Sequence, residues 1–182
     1  SISSTISSEM TSDAVVAVII AVILIMIYIA FRFQDFRFAS AAVIALLHDI
    51  LLVLASYALV RITVGSTFIA VMLTILGYSI NDTIVVFDRI RENLHNRARV
   101  SKEELAEIGD MSITQTLSRS VNTSVTTFVM VLLLYIMGVA SIRDFSLPLM
   151  VGIVAGLFSS VCISTNLWYD MKIHFNKAGK KN

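Results

Sequence analysis

The sequence predicts an all-α integral membrane protein with five transmembrane helices. Hydrophobic residues make up 57% of the 182 positions, whereas about 45–50% is typical of a soluble domain. They are concentrated in five long apolar blocks that are separated by polar segments. Each block approaches the roughly 20 residues that a helix needs to cross the hydrocarbon core of a bilayer.

The five predicted spans cover residues 14–31, 39–59, 66–87, 121–137 and 145–168. Residues 1–13 are polar and rich in Ser and Thr, and they read as an external lead-in from a domain upstream. The chain starts with Ser1, and its first apolar block lacks the basic segment of a signal peptide. We therefore expect a fragment of a longer protein.

Short polar segments at 32–37, 61–65 and 138–144 are predicted to connect the spans. Pro148 is expected in the first turn of the last span, where a missing backbone N–H is tolerated. Trp168 and Tyr169 suit an anchor at the level of the lipid headgroups, and residues 170–182 form a basic tail.

The long polar segment 88–120 is predicted to contain an amphipathic helix with Leu105, Ile108 and Met111 on its apolar face. Two capping-box patterns, Ser101 with Glu104 and Ser112 with Gln115, indicate two separate helix starts. Gly109 is expected to end the first of these helices.

The distribution of charge predicts the orientation of the chain. Two basic residues, Arg61 and Arg143, lie on one side of the predicted bundle. The other twelve lie on the opposite side: Arg32, Arg37, Arg89, Arg91, Arg97, Arg99, Lys102, Arg119, Lys172, Lys177, Lys180 and Lys181. Basic residues accumulate on the cytoplasmic side, so the C-terminus is expected inside and residue 1 outside. One helix upstream of the external segment would complete a six-span unit.

Several classes of function lack support in the sequence. The basic residues of 88–120 are interleaved with acidic ones, which indicates a solvated loop and not a nucleic-acid site. No Walker-type phosphate loop is present, and we expect neither enzymatic activity nor a bound cofactor. The single cysteine, Cys162, permits no internal disulfide, and the one His–Asp pair is too small a ligand set for a metal site.

Asp82 is the leading candidate for a functional residue, because a carboxyl within an apolar run needs a partner or a use. Helical spacing places polar residues on one face of the third span: Thr74, Tyr78 and Asp82, with Asn81 beside them. A second face on the fourth span carries Arg119, Thr123, Thr126 and Met130, flanked by Asn122. The two faces are predicted to meet, with Asp82 opposite Arg119. Either they form a static pair, or Asp82 gains and loses a proton as a helix moves.

His48 and Asp49 form a second intramembrane polar site. Adjacent residues point about 100° apart on a helix, so the two side chains are not expected to pair with each other. A proton relay and a buried polar knot that holds helices together both remain open. Gly152 and Gly156 predict close helix packing in the last span, with a sliding surface beside a moving helix as the alternative.

The stretch GYSINDTIVVFDRIREN at 77–93 closely resembles the fourth-helix motif of the SecF family of protein-export membrane proteins. Three further pieces agree in order: ALLHDI at 45–50, QTLSRSVNTS at 115–124 and FSLPLMVGIVAG at 145–156. Residues 7–10 also resemble the lead-in of the family. The resemblance implies that the five spans are the second to sixth helices of a six-helix half of an RND-type membrane domain.

The resemblance further implies a function and partners. SecF and its partner half SecD, which is separate or fused, use the proton gradient to promote translocation of preproteins through SecYEG in the bacterial cytoplasmic membrane. YajC and YidC associate with them in many bacteria. By position, Asp82 and Arg119 match residues that the family uses for proton transport. Asn81 stands where the SecD half has its own Asp, which implies that this chain holds only part of the proton path.

Two other functions are kept as alternatives. In the first, the chain is a structural scaffold for assembly with SecD or the channel, and Asp82 with Arg119 only determines how helices pack. In the second, the chain belongs to an RND-type efflux system for small molecules, a reading that the Asn-Asp-Thr motif at 81–83 and the charged 88–120 segment disfavour.

Overall fold

The computed structural model describes residues 2–62, 64, 66–95, 97 and 100–178. Its α-helices are α1 (Ile2–Phe33), α2 (Phe36–Val60), α3 (Ser66–Leu94), α4 (Lys102–Met137), α5 (Ala140–Phe158) and α6 (Thr165–Ala178). A π-helical segment, Ser159–Ser164, joins α5 to α6 without a break. Over these described ranges, five helical stretches are long and apolar enough to cross a membrane. The predicted all-α fold with five spans is therefore confirmed.

Residues 61–65 connect α2 to α3 as predicted, but two other connections between spans are shorter than the sequence predicts. Only Gln34 and Asp35 separate α1 from α2, and the Asp35 carboxylate caps α2 by accepting a 3.0 Å hydrogen bond from the backbone N–H of Arg37. Only residues 138 and 139 separate α4 from α5, so the predicted loop at 138–144 is wrong. Pro148 consequently lies inside α5 and not in its first turn.

The polar segment before the fourth span is part of one helix. The predicted capping box at Ser101 is confirmed, because the Ser101 hydroxyl accepts from the N–H of Glu104 and the Glu104 carboxylate accepts from the N–H of Ser101. The predicted second start at Ser112 and the stop at Gly109 are wrong, since α4 continues through both residues for 36 residues in all. The Ser112 hydroxyl donates to the carbonyl of Ile108 one turn back, and Gly109 packs against Thr165 of α6.

Helix length explains the charged end of the bundle. The 29 residues of α3 and the 36 of α4 correspond to about 43 and 54 Å at 1.5 Å per residue. Both exceed the roughly 30 Å thickness of a hydrocarbon core. A short segment, 95–101, joins the C-terminal end of α3 to the N-terminal end of α4. Both helices therefore extend beyond the apolar zone on the same side of the bundle. Arg99, Lys180 and Lys181, which enter the predicted orientation, lie outside the described residues, as does Ser1 of the lead-in.

Helix α5 and the π-helical segment occupy the centre of the bundle, in contact with α2 and α3, while α4 packs against α5. A Cβ atom on Gly152 would come within 2.5 Å of Ile75, and one on Gly156 within 3.1 Å of Ser79. Both glycines therefore allow the backbones of α5 and α3 to approach closely. This confirms the predicted packing role of the pair.

Aromatic rings fill the core at the charged end of the bundle. Trp168 of α6 stacks on Phe38 of α2 with 5.2 Å between ring centroids, and Phe38 contacts Phe87 of α3. Trp168 is fully buried, with the ammonium of Lys172 5.0 Å from its ring centroid. The predicted headgroup anchor at Trp168 is therefore wrong: the ring binds α6 to α2 within the protein.

Candidate functional site at the α3–α4 interface

Asp82 lies at the contact between α3 and α4 and is only 4% exposed. Ser120 and Ser124 of α4 lie beside its carboxyl group. One turn along α3, the Tyr78 hydroxyl donates a 3.0 Å hydrogen bond to Ser124. A compact polar patch thus lies inside an otherwise apolar helix interface.

One oxygen of this patch stands out. Oδ2 of Asp82 is buried and meets no donor in good hydrogen-bond geometry among the described residues, although the hydroxyls of Ser120 and Ser124 lie close enough to interact with the carboxyl group. Buried polar atoms are nearly always hydrogen-bonded, so such exceptions mark sites of strain or function. An ionisable residue within a membrane span with a free oxygen is a group that can accept or release a proton.

Arg119 lies near this patch but does not pair with it. Its positive charge acts on the Asp82 carboxyl through space, yet the ion pairs formed among the described residues do not include this one. The Arg119 side chain is exposed and lines a cavity of about 180 Å³ between α3 and α4. The other lining residues are Val85, Asp88, Arg89, Glu92, Gln115 and Thr116.

This α3–α4 cavity extends toward Asp82. Val85 lies three residues after Asp82 on α3, and Thr116 lies four residues before Ser120 on α4. The inner end of the cavity is therefore about one helical turn, ~5.4 Å of rise, from the carboxyl patch. Its other walls carry charged groups from the end of the bundle where α3 and α4 extend together. The arrangement brings a polar cavity close to a buried acid.

The prediction that the polar faces of α3 and α4 meet is confirmed for α3 and wrong for most of α4. On α3, Tyr78 and Asp82 do face α4. On α4, the predicted stripe turns away from the contact, since Arg119, Asn122, Thr126 and Met130 are exposed and Thr123 is half-buried. Asn81 is also exposed, beside the buried Asp82. Polar groups of the spans therefore divide into an inner patch and an outer face.

Sequence reasoning missed a buried stripe of small polar residues on α4, of which Ser120 and Ser124 lie beside Asp82. Ser112, Thr116, Ser120 and Ser124 recur every four residues on α4, and all four are buried. Small polar residues at this spacing are typical of close helix contacts in membranes. This stripe lies one residue, or about 100° around the helix, from the predicted face that carries Arg119.

Asp49 anchors a second buried polar cluster. It is 1% exposed, and its Oδ2 accepts hydrogen bonds from Ser79 of α3 at 2.5 Å and from Ser159 of the π-helical segment at 2.7 Å. The ring Nδ1 of His48 lies 3.1 Å from the other oxygen. The prediction that His48 and Asp49 would not pair is wrong, because side-chain rotation closes the angle between neighbouring positions.

The π-helical segment supplies further hydroxyl groups to this Asp49 cluster. The hydroxyls of Ser160 and Thr83 are 2.9 Å apart, and Ser160 also donates to the backbone carbonyl of Ser79 at 3.3 Å. Single π-helical turns often occur at functional positions. Here the turn directs two successive serines toward α2 and α3. Across the described part of the chain, no three His, Cys, Asp or Glu side chains converge as they would around a metal ion.

Comparison with known proteins places the chain in a family. The model of the C-terminal part of the protein-export membrane proteins SecD/SecF matches residues 1–174. The protein translocase subunit SecF of Alicyclobacillus acidocaldarius is 48% identical over 142 residues, which are 78% of this chain and 46% of that protein. The protein translocase subunit SecDF of Bacillus subtilis is 41% identical over 171 residues, which are 94% of this chain and 23% of that protein.

Solved structures agree in both fold and sequence. The crystal structure of SecDF from Thermus thermophilus, described as a translocon-associated membrane protein, has a TM-score of 0.80 and 44% identity and covers 87% of this chain and 22% of its own. SecDF in its super-membrane-facing form has a TM-score of 0.77 and 42% identity over 87% of this chain and 21% of its own. The chain spans about half the length of the SecF relatives that it matches, 46% and 51% in two cases. It belongs to the SecD/SecF family of protein-export membrane proteins.

Proposed function

We propose that this chain is the membrane-embedded part of a SecF-type subunit that works with a SecD half. Together they use the proton gradient to promote translocation of preproteins through SecYEG. The relatives are named as translocase subunits, and some of them carry SecD and SecF in one chain. The subunit acts as a transport component and not as an enzyme, with YajC and YidC as further partners.

The proposal that Asp82 transfers protons rests on one observation. Asp82 has a buried carboxyl oxygen without a partner, about one helical turn from a polar cavity that Arg119 lines. In the proposal, a proton reaches Asp82 through the α3–α4 cavity and changes the charge that Arg119 experiences. Movement of α4 against α3 would then follow uptake and release of the proton. One charge that crosses 100 mV releases roughly 2.3 kcal/mol, so several protons suffice for a domain movement.

The outer polar face supports a role for a second half. Asn81, Asn122 and Thr126 are exposed within spans, where contact between polar groups and lipid is unfavourable. A SecD half that covers this face with polar side chains would remove that cost. It would also supply the carboxylate that Asn81 lacks. We place the complex in the bacterial cytoplasmic membrane, with the C-terminus of this chain inside.

Asp49 is assigned a different role from Asp82. Its carboxylate accepts two hydroxyl hydrogen bonds from α3 and from the π-helical segment and is closed off from solvent. This favours the polar-knot interpretation of His48 and Asp49 over a proton relay.

Preprotein export driven by a proton gradient in membrane vesicles tests the proposal, with each variant in the full-length SecD–SecF complex. Asp82→Asn and Arg119→Ala are expected to abolish the proton-dependent part of export and to leave assembly with SecD intact. Asp110→Asn, the same change on the exposed surface of α4, is the matched control. Normal proton-dependent export by both variants would overturn the assigned roles. Loss of co-purification with SecD would instead support the scaffold reading.

A further inference from the structure

Asp88 lies in the wall of two clefts. One is the α3–α4 cavity, which it shares with Arg119. The other has a volume of about 290 Å³ and opens between the charged ends of α1 and α3. There the Asp88 carboxylate pairs with the guanidinium of Arg32 at 2.9 Å, and its side chain remains 42% exposed. One carboxylate thus lies between α1 and the cavity that extends toward Asp82.

Two hydrogen bonds show how α3 and α4 are aligned. Tyr78 donates to Ser124 at 3.0 Å, and the side-chain amide of Asn93 donates to Ser112 at 2.8 Å. The residue numbers rise along one helix as they fall along the other, so the two helices run antiparallel. Interpolation between the two contacts therefore gives the level of Arg119 along α3.

Arg119 lies at about the level of Val85, and both residues line the α3–α4 cavity. Asp82 lies three residues before Val85, and Asp88 lies three residues after it. Each carboxyl group is therefore about 4.5 Å of helical rise from the level of Arg119, in opposite directions. The Arg119 guanidinium is exposed and forms none of the ion pairs found among the described residues.

Glu92 is the other carboxylate of the α3–α4 cavity. It lies seven residues after Val85, about 10 Å beyond the level of Arg119. It also pairs with Arg89 at 2.9 Å within its own helix. Asp88 is therefore the nearer of the two cavity carboxylates to Arg119.

The charged and titratable groups that share a cleft with Asp88 are Arg32 of α1, Arg89, Arg91, Glu92 and His95 of α3, and Arg119 of α4. Arg91 donates to the backbone carbonyl of Arg32 at 3.0 Å, and Arg89 pairs with Glu92. His95 lies about two helical turns further along α3. Arg32 and Arg119 are thus the cations that neighbouring helices bring to Asp88.

We propose that Asp88 is a positioning residue for the proton site, because it offers Arg119 a second carboxylate in competition with Asp82. The inference rests on the proposed role of Asp82 in proton transfer. While Asp82 carries a proton and is neutral, Arg119 pairs outward with Asp88. Once the proton leaves, Arg119 turns inward and stabilises the carboxylate of Asp82. Arg32 competes for Asp88 from α1, so proton release is coupled to the contact between α1 and α3.

Two substitutions break the same Arg32–Asp88 pair but are expected to act in opposite directions. In Asp88→Asn, Arg119 remains at Asp82 and makes it harder to protonate. The pH of half-maximal proton-dependent export should then fall by about one unit, the low end of the effect of an adjacent arginine on an aspartate. In Arg32→Gln, Asp88 attracts Arg119 more strongly, and that pH should rise. The full-length SecD–SecF complex is assayed in membrane vesicles over a series of pH values, with the size of the proton gradient held constant.

Three further variants serve as controls. Asp110→Asn is the matched change, since Asp110 is exposed on α4 and lines neither cleft. Asp88→Glu keeps the carboxylate and should retain a pH profile close to that of the unmodified complex. Arg89→Gln removes a charge seven residues from Asp82, close to the six residues that separate Asp88 from it. Its shift therefore measures the direct effect of a charge at this distance, which Asp88→Asn is expected to exceed.

Two results would overturn the proposal. Shifts in the same direction for Asp88→Asn and Arg32→Gln would show that the pair only holds α1 to α3. A shift in Asp88→Asn no larger than that in Arg89→Gln would show that Asp88 acts only as a fixed charge. If Asp88→Asn fails to co-purify with SecD, Arg32→Gln decides alone: a rise in the pH of half-maximal export supports the competition, and an unchanged or lower value rejects it.

The proposed function can fail separately from this inference. Normal proton-dependent export by Asp82→Asn would reject the role of Asp82 and the inference with it. Loss of proton-dependent export in Asp82→Asn, together with an unshifted pH profile in Asp88→Asn, would reject only the role of Asp88.

Discussion

The hydroxyl of Ser159 donates a 2.7 Å hydrogen bond to the carboxylate of Asp49, although 110 positions separate the two residues. The same carboxylate oxygen accepts from Ser79, so one buried group joins α2, α3 and the π-helical segment. Oriented hydroxyl groups around a buried carboxylate stabilise it where water is absent. The Asp49 cluster therefore holds three helical segments together.

Asp49→Ala is expected to destabilise the bundle by about 2–3 kcal/mol, because the hydroxyls of Ser79 and Ser159 lose a charged acceptor. Asp49→Asn keeps one acceptor oxygen and the shape of the side chain, so its cost should be smaller. Unfolding of the purified complex in lipid nanodiscs measures both values.

Asp144→Ala is the control for this comparison, since Asp144 is exposed at the start of α5 and should show little change. If Asp49→Asn leaves the free energy of unfolding unchanged but removes proton-dependent export, then Asp49 acts as a proton relay and does not hold the helices together.

Gly152→Ala is expected to destabilise the contact between α3 and α5 by about 1–3 kcal/mol, since its new methyl group would lie 2.5 Å from Ile75. Gly77→Ala is the matched control, because a Cβ at Gly77 meets no atom within 4 Å. Gly77→Ala should be neutral or should stabilise α3 by up to about 1 kcal/mol through helix propensity.

Ile75→Ala alone should destabilise the bundle because Ile75 is buried, but a double-mutant cycle with Gly152→Ala should show a favourable coupling, since the clashing atoms are then absent. Equal destabilisation by Gly152→Ala and Gly77→Ala would show that the close approach of α3 and α5 does not govern stability.

Ser124→Ala and Ser120→Ala should differ although the substitution is the same. Ser124 accepts the hydrogen bond of Tyr78, so its loss should cost about 0.6–1.7 kcal/mol, the range measured for such bonds in membranes. The Ser120 hydroxyl lies beside the carboxyl group of Asp82 but makes no hydrogen bond of good geometry, so its removal should cost less than that of Ser124. Tyr78→Phe should cost no more than Ser124→Ala, because Ser124 also lies beside Asp82, and a double-mutant cycle between Tyr78 and Ser124 would isolate the energy of this pair.

The number of spans and the presence of a carboxyl group at Asp82 within one of them follow from local properties of the sequence. Long apolar runs specify spans because a bilayer demands them, and a carboxyl group inside such a run is conspicuous. The capping box at Ser101 is equally local, since all its contacts lie within four residues. These features could be predicted without knowledge of how the helices pack.

The partners of each polar residue could not be predicted in the same way. Neighbouring residues on a helix point about 100° apart, so an error of one residue selects a different face. The predicted face presents Arg119 to Asp82, whereas the observed face presents Ser120 and Ser124. Hydropathy does not determine this rotation in a helix that is apolar on most sides. Ser159, one hydrogen-bond partner of Asp49, lies in a π-helical segment that no pattern in the sequence predicts.

The α3–α4 cavity predicts that water reaches Val85, one turn from Asp82. In a Cys162→Ser background, which removes an exposed thiol, Val85→Cys in the full complex should react with a membrane-impermeant thiol reagent added to the side of the membrane at which the charged ends of α3 and α4 lie. Gln115→Cys at the mouth of the cavity is the positive control. Val125→Cys, whose side chain is 53% exposed within the span and outside the cavity, is the control for an exposed position that the cavity does not reach.

Reaction at Val85→Cys and not at Val125→Cys would place water beside the carboxyl patch, because thiols react as thiolates and these form in water and not in lipid. A bulky Val85→Phe should then fill the inner end of the cavity and lower proton-dependent export while assembly with SecD stays normal. If Val85→Cys is as inert as Val125→Cys and Val85→Phe exports normally, protons do not reach Asp82 by this route. Labelling is measured independently of export. Normal export by Asp82→Asn together with labelling of Val85→Cys would therefore support the water-filled cavity and reject the role of Asp82 in proton transfer.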